Sequence, residues 1–294
     1  MSFAAYITSF LPTDNPELRD SRSAVTKRQI LWWLNNTDIH VTVVAMNYTD
    51  EDFITDLPDD ARSRLYYHIN PPMKITPARV ESFKLFYASD YDFGIIMDDD
   101  AILYDKPHHN SGPKLFSEMI SNGISRYDGV DVFFPINPQK IGFNPIWDKD
   151  PQKYTNNHVF KRSMDLKGSM CVVRNFRKFG MKEVWHDTNF TWQEDTKFAI
   201  DCVAAGHTVL QCQNIILHEL SGKASHFSAD PTSRLPKMLE GNTRIAEAYA
   251  SMGLKMKTDS HLLDRGEFMD RCWFKPKEFV IPKGESMFYD IFDI

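Results

Sequence analysis

The chain has 294 residues, of which 42% are hydrophobic and 13% aromatic with six Trp, enough apolar surface for a substantial core and against disorder over most of its length. Its 34 basic and 40 acidic residues give a formal charge of −6 and a pI near 5.9, which excludes a chain that is basic throughout, the simplest mark of a nucleic-acid binder. No run approaches the roughly 18 apolar residues of a membrane span, "MSFAAYITSFLPTDNPELRD" has no basic region of a signal peptide, and Cys171, Cys202, Cys212 and Cys272 have no C-x-x-C spacing. The expectation is a soluble cytoplasmic protein with buried thiols and neither a zinc site nor a disulfide framework.

In chain order, "AAYITSF" (4–10) reads as a buried strand, "LPTDNPELRDS" as turns, and "RSAVTKRQILWWLNN" (22–36) as a helix. "IHVTVVAMNY" (39–48), dense in β-branched residues, is the strongest strand signal, and "RLYYHIN" (64–70) is a weaker one closed by Pro71 and Pro72. "TPARVESFKLFYAS" predicts a helix with Thr76 as N-cap, Pro77 at its first position and Arg79 near its start. "DFGIIMDD" returns as a strand, and this alternation predicts a mostly parallel sheet covered by helices. Residues 133–158, with four prolines, read as long loops; "KGSMCVVR" (167–174) resumes a strand, "TWQEDTKFAIDCVAAGH" (191–207) a helix, and "TVLQCQNIILHEL" one or two short strands. A tail holding the helical "TRIAEAYASMGL" follows.

Four groups of residues can carry chemistry. Asp98, Asp99 and Asp100 follow an apolar strand, at the end where open α/β sheets bind ligands. If the strand continues through them, Asp98 and Asp100 share a face and Asp99 points the other way. Such a pair suits Mg²⁺ or Mn²⁺ held against a diphosphate; the alternative is an acidic turn in solvent. Glu194 and Asp195 open a predicted helix, either as ordinary helix-start acids or with one of them as a general base. In "ILHELSGKASHF", His218 can join a metal shell, with His226 as competitor, and Lys223 can neutralise phosphate oxygens. Lys161, Arg162, Lys167, Arg174, Arg177 and Lys178 surround the single acid Asp165, a patch for a polyanion or a solvated face balancing acidic neighbours.

Together, "RVESFKLFYASDYDFGIIMDDDAIL", "KGSMCVVRNFRKFG…TWQEDTKFAIDCVAAGHTVLQ" and "HELSGKASHF" resemble the GT-A class of nucleotide-sugar glycosyltransferases, over residues 4–227. Within it the chain looks most like bacteriophage enzymes that glycosylate modified DNA bases, such as the β-glucosyl-hydroxymethylcytosine glucosyltransferases and the TET-associated glycosyltransferases. The resemblance implies an α/β GT-A (Rossmann-like) fold, a mixed and mostly parallel sheet flanked by helices, with a catalytic domain over 1–230 and a C-terminal extension over 231–294 packed on it. It further implies Asp100, Asp98 and His218 as ligands of Mn²⁺ or Mg²⁺, and Thr8, Asn47, Arg79, Asp98, Asp99 and Lys223 at a UDP-sugar. Asp195, aided by Glu194, would be the base of an inverting transfer. The acceptor so implied is a hydroxymethylated, or already glycosylated, pyrimidine in double-stranded DNA, in the cytoplasm of a host cell. A glycan or protein acceptor, a metal-dependent phosphoryl-transfer enzyme and a non-catalytic sugar- or DNA-binding module are the other readings of the same residues.

Overall fold

The computed structural model describes residues 1–49, 54, 57–105, 130–136, 160–162, 170–190, 194–219, 240, 241, 243–248, 250 and 251. Its elements run β1 (Phe3–Phe10), α1 (Pro16–Asn36), β2 (His40–Met46), α2 (Asp59–Ser63), β3 (Leu65–Asn70), α3 (Ile75–Tyr87), β4 (Phe93–Asp98), β5 (Ala101–Asp105), β6 (Val130–Ile136), β7 (Phe160–Arg162), β8 (Met170–Arg174), α4 (Glu194–Ala204) and β9 (Thr208–Glu219). This is an α/β protein with a mixed, mostly parallel sheet and flanking helices. Its described residues fall into two compact units, one drawn from Met1–Ile102, Ser169–Thr188 and Glu219–Ala229, the other from Leu103–Gly168, Asn189–His218 and Asp230–Ile294.

In the first unit the strand order is β3-β2-β1-β4-β8. The first four strands are parallel and β8 runs antiparallel to β4. Strands β1 and β4 are buried at nearly every position, the pattern of parallel strands covered on both faces. Thr8 meets Ser82 of α3 while the next residue, Ser9, meets Thr26 of α1; since neighbouring strand residues point to opposite faces, the two helices cover opposite sides of the sheet.

Helix α1 starts at Pro16, six residues before the expected start at Arg22, because Asn15 caps it: its side chain accepts from the Leu18 N–H at 3.0 Å. Helix α3 also starts early, at Ile75, with Lys74 rather than Thr76 at the N-cap position. Pro77 is tolerated because the first-turn N–H groups have no intrahelical acceptor. The predicted direct step from the second strand to the third is interrupted by α2, part of the crossover that parallel strands require. At the other end of α3, the buried Asn175 side chain donates to the carbonyls of Phe86, Ser89 and Tyr91, tying the end of β8 to the helix terminus.

In the second unit β9 pairs parallel with β6 and antiparallel with β7. Phe133–Ile136, expected in a loop, are the end of β6, and Phe133 and Phe134 are buried. Pro135 sits in the strand just before a register shift, a position where a missing ladder donor is tolerated. The expected one or two short strands after residue 207 are the single strand β9. Helix α4 ends in a Schellman motif: Gly206 (φ 90°) donates to Val203 at 3.0 Å and His207 to Cys202 at 2.9 Å. Residues 243–248 are helical as expected, and Ile245 packs with Phe190 and Ile200. Cys171 and Cys202 are buried, and no described helix is long and apolar enough to cross a membrane.

Gly94 shows how closely α3 lies on the sheet, for a Cβ there would stand 2.8 Å from the Phe86 ring, itself fully buried. Gly94→Ala should therefore cost about 1–3 kcal/mol in urea unfolding. In a Phe86→Leu background, where the ring is gone, the same change should cost clearly less.

Candidate active site at the strand ends

The carboxyl ends of β1, β2 and β4 lie side by side, with Thr8 paired to Asp98 across the β1–β4 ladder. On the α3 side, Arg79 Nη2 donates to both oxygens of Asp98, at 3.2 and 2.9 Å. Arg79 is buried because its place in the second turn of α3 points it along the sheet face toward the end of β4. Thr8 is also buried, its hydroxyl 3.1 Å from that of Ser82. Asn47, just past β2, adopts a φ of 61° and donates through its side chain to the Leu11 carbonyl at 3.2 Å; asparagine is among the few residues that take this conformation readily.

On the α1 side, Asp99 is 1% exposed. Its Oδ1 accepts from Arg22, its Oδ2 accepts from Ser9 at 2.5 Å, and the Thr26 hydroxyl lies 3.0 Å from that same oxygen. Tyr48 lies 2.6 Å from Ser9, placed to donate to it. The Asp99 N–H donates to the Thr8 carbonyl, extending the β1–β4 ladder one step. Burial, the largest effect, holds the Asp99 carboxyl above its ordinary range and the neighbouring Asp98 adds to the rise, while Arg22, Ser9 and Thr26 offset part of it. With these donors around its two oxygens, the carboxylate is the form that the geometry serves. Burial works against the Arg22 charge, but Asp99 and Asp100 outweigh it and hold the guanidinium above its ordinary value. Tyr48 is pushed up as well, by burial first and then by Asp99, so it stays a donor.

The strand does not continue through all three aspartates. It ends at Asp98, residues 99 and 100 form a turn, and β5 begins at Ala101. Asp99 opposes Asp98 as strand alternation requires. Asp100 does not follow Asp98 to the α3 side: its Oδ2 accepts from Arg22 Nη1 at 3.2 Å, the guanidinium that also holds Asp99.

The three carboxylates differ in access. The Asp98 and Asp100 side chains are 19% and 17% exposed, against 1% for Asp99, so the outer two can meet a ligand and the middle one cannot. Three carboxylates against two guanidiniums leave one net negative charge. Two accessible, charged oxygen donors in a negative site fit a hard divalent cation. Among the described residues no three His, Cys, Asp or Glu side chains come together as a metal-binding group, so two carboxylates are the protein ligands on which that fit rests.

Glu194 and Asp195 lie half-buried in the first turn of α4, in the second unit. His218 is the penultimate residue of β9, with its side chain outside the described residues. Lys223, His226 and Lys167 lie outside the described residues, and so do the side chains of Lys161 and Arg162. In the rest of the basic patch, Arg177 is paired with Glu183 at 2.8 Å, Lys178 with Asp92 at 2.8 Å, and Arg174 lies over the Phe93 and Phe179 rings. These charges balance nearby acids and aromatic faces.

Sequence reasoning did not single out Arg22, Ser9, Thr26 or Tyr48. One signal was present: Arg22, Thr26 and Gln29 are polar at helical spacing on the stripe of α1 that also buries Val25, Ile30 and Trp33. A polar line within an apolar face marks polar partners across the interface.

No protein-family model and no curated protein sequence matches the chain. Solved structures similar to it include S. aureus TarS 1–349 in complex with UDP-GlcNAc, at TM-score 0.47 and 10% identity over 94% of this chain and 79% of that one. GalNAc-T7 with UDP, GalNAc and Mn²⁺ aligns at TM-score 0.47 and 12% identity, over 92% of this chain and 54% of that one. A197 from STIV aligns at TM-score 0.39 and 11% identity, over 76% and 87%. At these levels of similarity, function rests on the chain's own residues.

Asp99→Asn should cost about 3–5 kcal/mol in chemical denaturation, because it leaves the Arg22 charge poorly paired. Arg22→Met combined with Asp99→Asn removes the pair as a unit and should recover most of that loss, a coupling that a double-mutant cycle measures directly.

Proposed function

We propose that the protein is a metal-dependent glycosyltransferase of the GT-A class, moving a sugar from a UDP-sugar to a hydroxyl acceptor. The observation that carries this reading is the pair of solvent-reaching carboxylates, Asp98 and Asp100, each held by a guanidinium at the carboxyl ends of parallel strands. That edge is where open α/β sheets bind ligands, and a negative site of this kind needs a cation before it can accept a diphosphate.

In this reading Asp98 and Asp100 hold Mn²⁺ or Mg²⁺, which supplies charge neutralisation for the departing diphosphate. Arg79 fixes Asp98 and lies beside the nucleotide; Asn47 contributes from the end of β2, while Thr8, buried on Ser82, supports the pocket from behind. His218 and Lys223, carried by the sequence resemblance, complete the cation and phosphate contacts. The acceptor hydroxyl oxygen forms the new bond to the anomeric carbon as the bond from that carbon to the phosphate oxygen breaks. On the strength of the sequence resemblance, Asp195, with Glu194 beside it, would take the hydroxyl proton as UDP leaves, which makes the displacement an inverting one.

The acceptor is a hydroxymethylated pyrimidine of DNA on the strength of the sequence resemblance. Arg177 and Lys178 contribute little to a DNA contact, since each is paired with an acid.

The deciding experiment incubates the protein with Mn²⁺ and a panel of UDP-sugars, with and without hydroxymethylcytosine DNA or an oligosaccharide, and measures UDP release. Stimulation by the DNA supports the full proposal; stimulation by the oligosaccharide alone moves the acceptor to a glycan. Release of inorganic phosphate, or strand cleavage with no sugar nucleotide, overturns it. Asp100→Ala should lower UDP release by about 100-fold or more, and full activity would remove Asp100 from the metal site. Asp195→Asn should bind UDP-sugar as the wild type does yet lose roughly 10²–10⁴ in transfer; unchanged turnover would remove it as base.

A further inference from the structure

Arg22 grips two of the three aspartates at once, Nη2 donating to Asp99 Oδ1 and Nη1 to Asp100 Oδ2. One of those aspartates cannot move. Asp99 is 1% exposed, its N–H is fixed to the Thr8 carbonyl, and its Oδ2 accepts from Ser9, which Tyr48 holds in turn. Asp100 stands one residue further on, in the turn before β5, and its side chain reaches solvent. The guanidinium is planar, and its two terminal nitrogens have a fixed separation and direction. When Asp99 fixes one of them, the direction in which the other meets Asp100 is fixed as well.

We infer that Arg22 is a positioning residue for the cation site: it carries the fixed position of Asp99 across to Asp100 and so sets which oxygen Asp100 offers to a divalent cation. The inference rests on the reading of Asp98 and Asp100 as the carboxylates that hold that cation. Asp100 with one oxygen held by Arg22 has less rotamer freedom left to lose on binding. Partners behind a metal ligand commonly contribute 10–100-fold in affinity. The opposite role is equally concrete: a counterion that the cation must displace from Asp100. Removing such a counterion would tighten binding, so the sign of the effect separates the two.

The test is Mn²⁺ binding, by calorimetry and by the loss of the free-ion electron paramagnetic resonance signal, with and without UDP. It compares the full chain with Arg22→Lys and with the Arg22→Met, Asp99→Asn double variant. Lysine keeps the charge and loses the fork. The double variant removes the buried pair together, so it keeps the test usable if the single one fails to fold. The expected result is binding weakened by about 10–100-fold in both variants. Wild-type or tighter affinity in either variant overturns the positioning role while leaving the metal site intact. A wild-type protein that takes up no Mn²⁺ even with UDP removes the metal site, and this inference with it.

Discussion

The buried carboxylate of Asp99 is the constraint around which the first unit is arranged. A charge at 1% exposure is tolerated only when its oxygens are met by donors and an opposite charge. Ser9 comes from β1 and Thr26 and Arg22 from α1, while Tyr48, from just beyond β2, holds Ser9 in turn. For all of them to arrive together, the β1–β4 and β1–β2 registers and the rotation of α1 must each be correct. A slip of one residue in β1 would turn Ser9 to the α3 side and bring Thr8 to the α1 side. The network therefore penalises wrong registers more sharply than the apolar contacts of the sheet do.

The same alternation divides labour at the strand ends. The α3 face receives Asp98 with Arg79, and the α1 face receives Asp99 with Arg22. Asp100, in the turn, is drawn to the second of these cations. One aspartate is thus committed to holding the chain together while the two flanking it remain at the surface. Three adjacent like charges become tolerable because Asp98 is turned to the other side of the sheet from Asp99 and Asp100, and each side has its own guanidinium.

Much of the first unit was legible in the sequence, for reasons that particular residues make clear. β2 and β4 are dense apolar runs closed by polar residues, and α3 has its apolar spacing intact, so periodicity alone places them. The start of α1 was missed because "TDNPELRDS" looks like a turn by composition, whereas Asn15 and Pro16 form a cap and first-turn pair that begins a helix. "FFPI" was read as loop because of its proline, yet it lies in β6 at a register shift. The triple aspartate was visible as a candidate site, and alternation alone turns Asp99 away from Asp98; the departure of Asp100 from the Asp98 side was not visible. Which carboxylate turns inward depended on where β4 stops, and Arg22 lies 77 residues from Asp99, a separation over which local pattern carries no information.

The position of β1 also has a consequence for how the chain reaches this state. It occupies residues 3–10, yet its two neighbours are β2 at 40–46 and β4 at 93–98. During synthesis β1 leaves the ribosome before both of its neighbours and can gain β2 early, but its second neighbour is absent until β4 has followed. Until then its apolar face and one hydrogen-bonding edge stand open, and loop-closure entropy delays the pairing that closes them. Since that closing strand ends at Asp98, with Asp99 and Asp100 in the turn beyond it, the row of aspartates at the sheet's carboxyl edge and the shielding of its middle strand come into being in the same step of folding.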